Sequence, residues 1–176
     1  MTDAELARLI REHAYLEGDF VLRSGRRSRY YLDKYRFETE PRLLGALGER
    51  IAASVAQAAP GAVRLAGPEL GAVALTAAAS LASGLPFLIV RNEEKEYGTA
   101  RRVEGEYAPG EEVCLVEDVV TSGGAAATAV EALRAEGLHC WAAICVVDRE
   151  EGGVDELARY SVRLVSIFRA KDVLEA

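Results

Sequence analysis

Two adjacent acids, Glu117 and Asp118, interrupt an apolar run in the stretch LVEDVVTSGGAAATAVEALRAEG, residues 115–137, and the small-residue turn Thr121-Ser122-Gly123-Gly124 follows them. A helix start offers unpaired N–H groups and a positive dipole end, a combination suited to phosphate. Thr121, Ser122 and the glycines let the backbone fold closely around a phosphate monoester, with the hydroxyls as extra donors. Carboxylates repel phosphate, so Glu117 and Asp118 either accept hydrogen bonds from sugar hydroxyls or hold a hydrated Mg2+. The stretch then reads both halves of a ribose phosphate. The same spacing also suits a plainer arrangement, a strand that ends in solvated acids before an N-cap at Thr121 or Ser122. Spacing alone leaves both open. The nucleotide loop GxxxxGK[ST] and the dinucleotide fingerprint GxGxxG are absent.

The elements that must position these residues follow from periodicity. An amphipathic helix is expected over residues 3–15, then two short strands, 20–23 and 29–33, around the turn Ser24-Gly25-Arg26-Arg27. Pro41 opens a helix in which Leu44, Leu47, Ile51 and Val55 recur at helical spacing. Strands and helices then alternate: strand 63–66, helix 73–82, strand 87–91, strand 113–117, helix 125–136, strands 141–148 and 162–168, and a short C-terminal helix. Near-continuous apolar strands separated by helices imply a parallel sheet covered on both faces. Residues 92–110, NEEKEYGTARRVEGEYAPG, break the alternation as a long polar segment without a clean period, the mark of a mobile or functional loop.

Composition sets the outer limits. A chain of 176 residues, half of them hydrophobic, suits one domain with a substantial core, here taken as residues 1–176. A net charge of −7 argues against coating nucleic acid or an anionic membrane. No stretch has the length of a membrane span, and the charged N-terminus lacks the apolar centre of a signal peptide, so a cytoplasmic protein is expected. Cys114, Cys140 and Cys145 lie in apolar runs without zinc-site spacing and read as buried thiols.

Residues 113–125, VCLVEDVVTSGGA, resemble the thirteen-residue phosphoribosyl pyrophosphate motif of the type I phosphoribosyltransferases: four hydrophobic residues, two acids and a Thr/Gly-rich phosphate loop. Within that superfamily the chain is similar to the orotate phosphoribosyltransferases. FVLRSGRRSRYYLD, residues 20–33, resembles the FxLxSGxxSxYY segment, which purine-specific relatives lack and which forms a hood over the pyrimidine; residues 1–35 are its expected contribution. LIVRNEEKEYGTARRVEG, residues 88–105, is similar to the catalytic loop VRKxxKxHG, so 92–110 is expected to be flexible. Asn92 stands where the family usually has Lys, and Tyr97 where it usually has His. LAGPELGAVAL, residues 65–75, resembles the loop that supports the diphosphate through a strained peptide, with Leu70 where many members carry Lys. CVVDREEGG, residues 145–153, matches the strand end whose Arg pairs with the orotate carboxylate, here Arg149.

The resemblance implies the type I phosphoribosyltransferase fold, a central mostly parallel sheet flanked by helices with a small N-terminal hood. It implies transfer of the phosphoribosyl group from phosphoribosyl pyrophosphate (PRPP) to orotate, with Mg2+ held mainly by substrate and water, in a homodimer that shares loops between subunits. Carried over by position, PRPP falls to Arg23, Arg91, Asn92, Lys95, Tyr97, Glu117, Asp118, Val119, Val120, Thr121, Ser122, Gly123, Gly124 and Ala125. Lys95, Asp118 and Glu117 are the catalytic candidates. Orotate falls to Tyr31, Leu32, Thr121 and Arg149. A guanidinium that grips a carboxylate through two parallel hydrogen bonds selects orotate over uracil. Transfer to another base, or a regulatory protein that binds PRPP with weak activity, are the alternatives; Asn92 and Leu70 motivate the second.

Overall fold

The computed structural model describes residues 1–21, 25, 27–93 and 101–176. Helix α1, Asp3–Ala14, starts at a capping box in which Thr2 and Glu5 satisfy each other's backbone N–H groups. It runs directly into the antiparallel hairpin β1, Tyr15–Val21, and β2, Arg27–Leu32, a sheet of its own. The first strand therefore begins five residues earlier than its apolar pattern indicates, because Glu17 pairs with Tyr30 across the ladder despite its charge. A short helix α2, Lys34–Glu38, follows. Periodicity cannot detect five residues.

Helix α3, Pro41–Ala58, has Pro at its first turn and buries Leu43, Leu47, Ile51 and Val55. Then come β3, Arg64–Pro68; α4, Gly71–Ser83; β4, Phe87–Val90; β5, Val103–Glu104; β6, Glu112–Val120; α5, Gly124–Ala135; β7, His139–Asp148; α6, Gly153–Arg159; β8, Arg163–Arg169; and α7, Ala170–Leu174. The main sheet has the order β5-β4-β3-β6-β7-β8, parallel except for β5, which runs antiparallel to β4. Its strands bury both faces. Cys114, Val116, Ile144 and Leu65 join the core under α1, α3 and α4, whereas Val113, Leu115, Cys140 and Leu88 join the core under α5 and α6. Residues 103–104, expected to lie within the long loop, belong to this sheet: Val103 is 2% exposed and pairs with Val90.

The chain winds outward from the middle in both directions. From β3 it proceeds through β4 to one edge; from β6 it proceeds through β7 to the other. The carboxyl ends of β3 and β6 are thus neighbours at the point where the winding reverses, the place where open parallel sheets gather ligands.

Candidate active site

Strand β6 does not stop at its acids. Parallel pairing with β7 continues through Val119↔Val147 and Val120↔Asp148, so Glu117 and Asp118 sit inside the ladder, 7% and 3% exposed. The expectation of a strand ending at residue 117, and with it the plainer arrangement of solvated acids, is corrected. A charge ends an apolar run in one dimension but does not end a strand whose neighbour supplies the missing partners. Beyond Val120 the turn opens: Thr121 and Ser122 are exposed, and the cap of α5 is Gly123 at φ 83°, in the left-handed region that favours glycine. No side chain caps this helix, so neither Thr121 nor Ser122 serves as its N-cap. The first amides of α5, those of Gly124 and Ala125 among them, have no intrahelical acceptor by the geometry of any helix start.

The partner of the buried acids comes from α2. Lys34 Nζ donates to Asp118 Oδ2 at 2.5 Å, while the backbone N–H of Val119 donates to Asp118 Oδ1. Burial works against the Lys34 ammonium, but the charge and hydrogen bond of Asp118 outweigh it and hold its pKa above the ordinary value. Glu38, one helical turn along α2 and 2% exposed, has its carboxyl pushed up to about 8 by burial and then by the charge of Asp118. Burial, and again Asp118, pushes Glu117 up to about 8 as well. Oε1 of Glu38 and Oε1 of Glu117 have no hydrogen-bond partner. Three carboxyls thus share one ammonium, and the two without it hold their protons into the neutral range.

Helix α4 begins against this cluster. A Cβ on Gly71 would collide with the Asp118 carboxylate and stand 2.7 Å from Lys34 Nζ, so only glycine lets the helix start come this close. A Cβ on Gly67 would likewise collide with the Thr76 hydroxyl, which seals β3 against α4. Between them the Glu69-Leu70 peptide bond is cis, and Leu70 is 72% exposed. Asn92 is tied to the same loop: its N–H donates to Glu69 Oε1 at 2.8 Å and its side-chain amide to the Glu69 carbonyl at 3.3 Å. The Arg91 N–H donates to the Arg102 carbonyl at 2.7 Å, and Nε of Arg91 is buried without a partner. Arg23, Lys95 and Tyr97 lie outside the described residues.

On the other side of β6, the backbone N–H of Arg149 donates to the Val120 carbonyl at 2.9 Å, which holds residue 149 at the end of β7 beside the turn that follows β6. The guanidinium lies 5.5 Å from the centre of the Tyr30 ring, approaches the Tyr30 hydroxyl at 3.4 Å and pairs with Glu151 at 3.1 Å. Tyr30, Leu32, Val147 and Arg149 share the lining of a small cavity. Tyr31 is on the opposite face of β2, tilted against Phe20 with ring centres 5.5 Å apart. The structure therefore brings Leu32 to Arg149 but not Tyr31, and it adds Tyr30 and Lys34, which sequence reasoning passed over. Tyr30 was detectable: alternate residues of a strand share a face, so Tyr30 goes with Leu32.

No family model matches the chain. Full-length comparison is decisive instead. The orotate phosphoribosyltransferase of Methanocella arvoryzae is 44% identical over 173 residues, covering 98% of this chain and 97% of that one. The chain belongs to the orotate phosphoribosyltransferase family. Among solved structures, the orotate phosphoribosyltransferase from Aeropyrum pernix superposes with a TM-score of 0.85 at 35% identity, over 97% of this chain and 96% of that one. The Mycobacterium tuberculosis orotate phosphoribosyltransferase in complex with 5-phospho-alpha-D-ribosyl 1-diphosphate superposes with a TM-score of 0.82 at 29% identity, over 97% and 98%. The fold is that of the type I phosphoribosyltransferases, an α/β architecture with a mostly parallel six-stranded sheet flanked by helices.

Proposed function

We infer that this chain transfers the phosphoribosyl group of PRPP to orotate, yielding orotidine 5′-monophosphate and pyrophosphate, a step of pyrimidine biosynthesis. One observation carries the reading beyond family membership. At the reversal point of the sheet, the buried acid pair and the open start of α5, both contributed by β6 and its turn, stand beside Arg149 at the end of the neighbouring strand β7, the two strands joined there by the backbone hydrogen bond from Arg149 to Val120. Groups suited to sugar hydroxyls, to a phosphate and to a carboxylate are thus brought together, the three features that a ribose phosphate bonded to orotate presents.

The 5′-phosphate seats on the amides of Gly123, Gly124 and Ala125 with the hydroxyls of Thr121 and Ser122 as donors, and Val119 and Val120 deliver the turn. Asp118 and Glu117 accept from the ribose hydroxyls. The diphosphate lies between Gly71, Arg91 and Asn92, with Arg23, Lys95 and Tyr97 closing over it. A cation such as Lys95 acts most where charge builds on departing pyrophosphate, in the transition state rather than the ground state. Orotate extends its carboxylate to Arg149 alongside Leu32 and Tyr30, and its ring nitrogen takes C1′ as the C–O bond breaks. No side chain need act as nucleophile.

Among the described residues no group of three or more His, Cys, Asp and Glu side chains forms a metal cage. The residues fit a metal carried by substrate: Asp118 and Glu117 bring acceptor oxygens to the ribose end, one of them unpartnered. Mg2+ bound through phosphate oxygens and water supplies neutralisation of the diphosphate charge. Among the described residues no helix is long and apolar enough to cross a membrane. Action as a cytoplasmic homodimer without nucleic acid completes the proposal; the net charge of −7 supports the last element.

The test is direct. Orotate absorbance should fall, with equimolar pyrophosphate release, only when PRPP and Mg2+ are both present. Faster turnover of uracil, hypoxanthine or adenine would overturn the base assignment, and tight PRPP binding without turnover of any base would make the protein a sensor.

A further inference from the structure

Lys34 has no counterpart in the sequence motifs, yet its ammonium stands where the ribose and diphosphate halves of the site meet. It holds the ribose-side carboxylate of Asp118 at 2.5 Å and lies 2.7 Å from where a Cβ on Gly71 would stand, at the open start of α4. We propose that Lys34 is a substrate-binding cation for the diphosphate, held on Asp118 in the free protein and transferred to the diphosphate when the ribose hydroxyls occupy that carboxylate. The inference rests on the function given above.

Four observations support it. The exchange is balanced in hydrogen bonds, because ribose O–H donors replace ammonium N–H donors on Asp118 and leave the buried carboxylate satisfied. It is sterically accessible: the Lys34 side chain is 30% exposed against 4% for Asp118, and its four-carbon stem is flexible. The loop between β3 and α4 brings no cation of its own, since Pro68, Glu69 and Leu70 separate its glycines and Glu69 is engaged with Asn92. Finally, α2 follows the hairpin that delivers Tyr30 and Leu32 to Arg149, so one short segment contacts the base on one side and the diphosphate on the other. The groups facing the ammonium are Asp118, Glu38 and the Tyr35 ring at 5.5 Å, an environment in which an added phosphate anion finds its charge partner already in place.

The experiment compares three ligands, with Mg2+ present, on the intact protein and on Lys34→Met by titration calorimetry. PRPP and inorganic pyrophosphate should each bind about tenfold more weakly to the variant, the effect of one lost charge-assisted contact, while ribose 5-phosphate stays within about twofold. The KM for orotate should not move, and Lys34→Arg should recover most of the loss. Ribose 5-phosphate weakened as much as PRPP would overturn the proposal, because Lys34 would then act only by positioning Asp118. Unchanged pyrophosphate binding would overturn it too. Lys34→Met leaves Asp118 buried without its partner and can fail to fold. Lys34→Met/Asp118→Asn removes both charges; against Asp118→Asn alone it must still lose about tenfold in pyrophosphate affinity, and equal affinity refutes the inference. Failure of the unaltered protein to bind PRPP would instead strike the proposed function.

Discussion

Arg149 gives the sharpest expectation, because the structure shows the contacts it would exchange for a carboxylate under the proposed function. In the free protein its guanidinium pairs with Glu151 at 3.1 Å, with the two side chains 11% and 24% exposed, and stacks on Tyr30. Two parallel charge-assisted hydrogen bonds to the orotate carboxylate contribute roughly 1.5 kcal/mol each. Breaking the partly exposed Glu151 pair costs about 1 kcal/mol. About 2 kcal/mol remains, so Arg149→Ala should lower kcat/KM for orotate about 30-fold and leave the weak turnover of uracil unchanged. Arg149→Lys keeps the charge but loses the planar fork, and should fall between. Glu151→Gln removes the competing carboxylate and should lower the orotate KM by up to about fivefold. The assay is steady-state turnover of orotate and uracil at saturating PRPP. If Arg149→Ala preserves the preference for orotate, the guanidinium does not read the carboxylate. If Glu151→Gln raises the orotate KM, Glu151 orients Arg149 rather than competing with it.

Four further outcomes follow from the same geometry. Lys95→Ala should lower kcat on the order of 100-fold with a far smaller change in substrate binding, measured by comparing kcat with PRPP affinity. Glu38 and Glu117 have folded-state pKa values of about 8, above their unfolded values, so the folded state binds more protons and stability falls as pH rises from the ordinary carboxylate range toward 8. Glu38→Gln should flatten that fall and raise Tm at pH 8 by about 3 °C in thermal scans, and an unchanged pH profile would remove Glu38 from the cluster's titration. Gly71→Ala forces a methyl into the Lys34–Asp118 pair and should weaken PRPP binding about tenfold or more, read by calorimetry. Asn92→Lys should tighten PRPP binding if position 92 leaves Glu69 for the diphosphate, and no change in affinity would show that it stays on Glu69.

Much of the fold was legible because it is written in local signals. Continuous apolar runs marked β4, β7 and the start of β6, and Pro41 with its helical spacing marked α3. What escaped was either short or stabilised from a distance. Five-residue α2 and two-residue β5 offer no period to read; each forms because distant residues receive it, α2 through Asp118 and β5 through the edge of β4. The start of β1 was hidden by Glu17 and Gly18, which carry no apolar signal but pair across the hairpin or lie within its irregular stretch.

The site divides along the same line. The roles proposed for Thr121, Ser122, Gly123, Gly124 and Arg149 could be read from sequence because facing a ligand would demand particular residue types at fixed spacing. The residues that hold the acids in the sheet carry no such mark. Lys34 meets Asp118 across 84 positions of chain, and nothing in DKYRFE announces that its first cation and last acid converge on one carboxylate. Yet the pair Glu117-Asp118 contained a physical question that spacing alone could have posed: two adjacent carboxylates continuing an apolar run, if buried, need a cation from elsewhere in the chain. Six lysines or arginines lie between residues 23 and 36, the densest basic stretch of the sequence, and one of them provides it. Reading that stretch for what the acids require, rather than only for what the ligand requires, is the step that leads from the motif to Lys34.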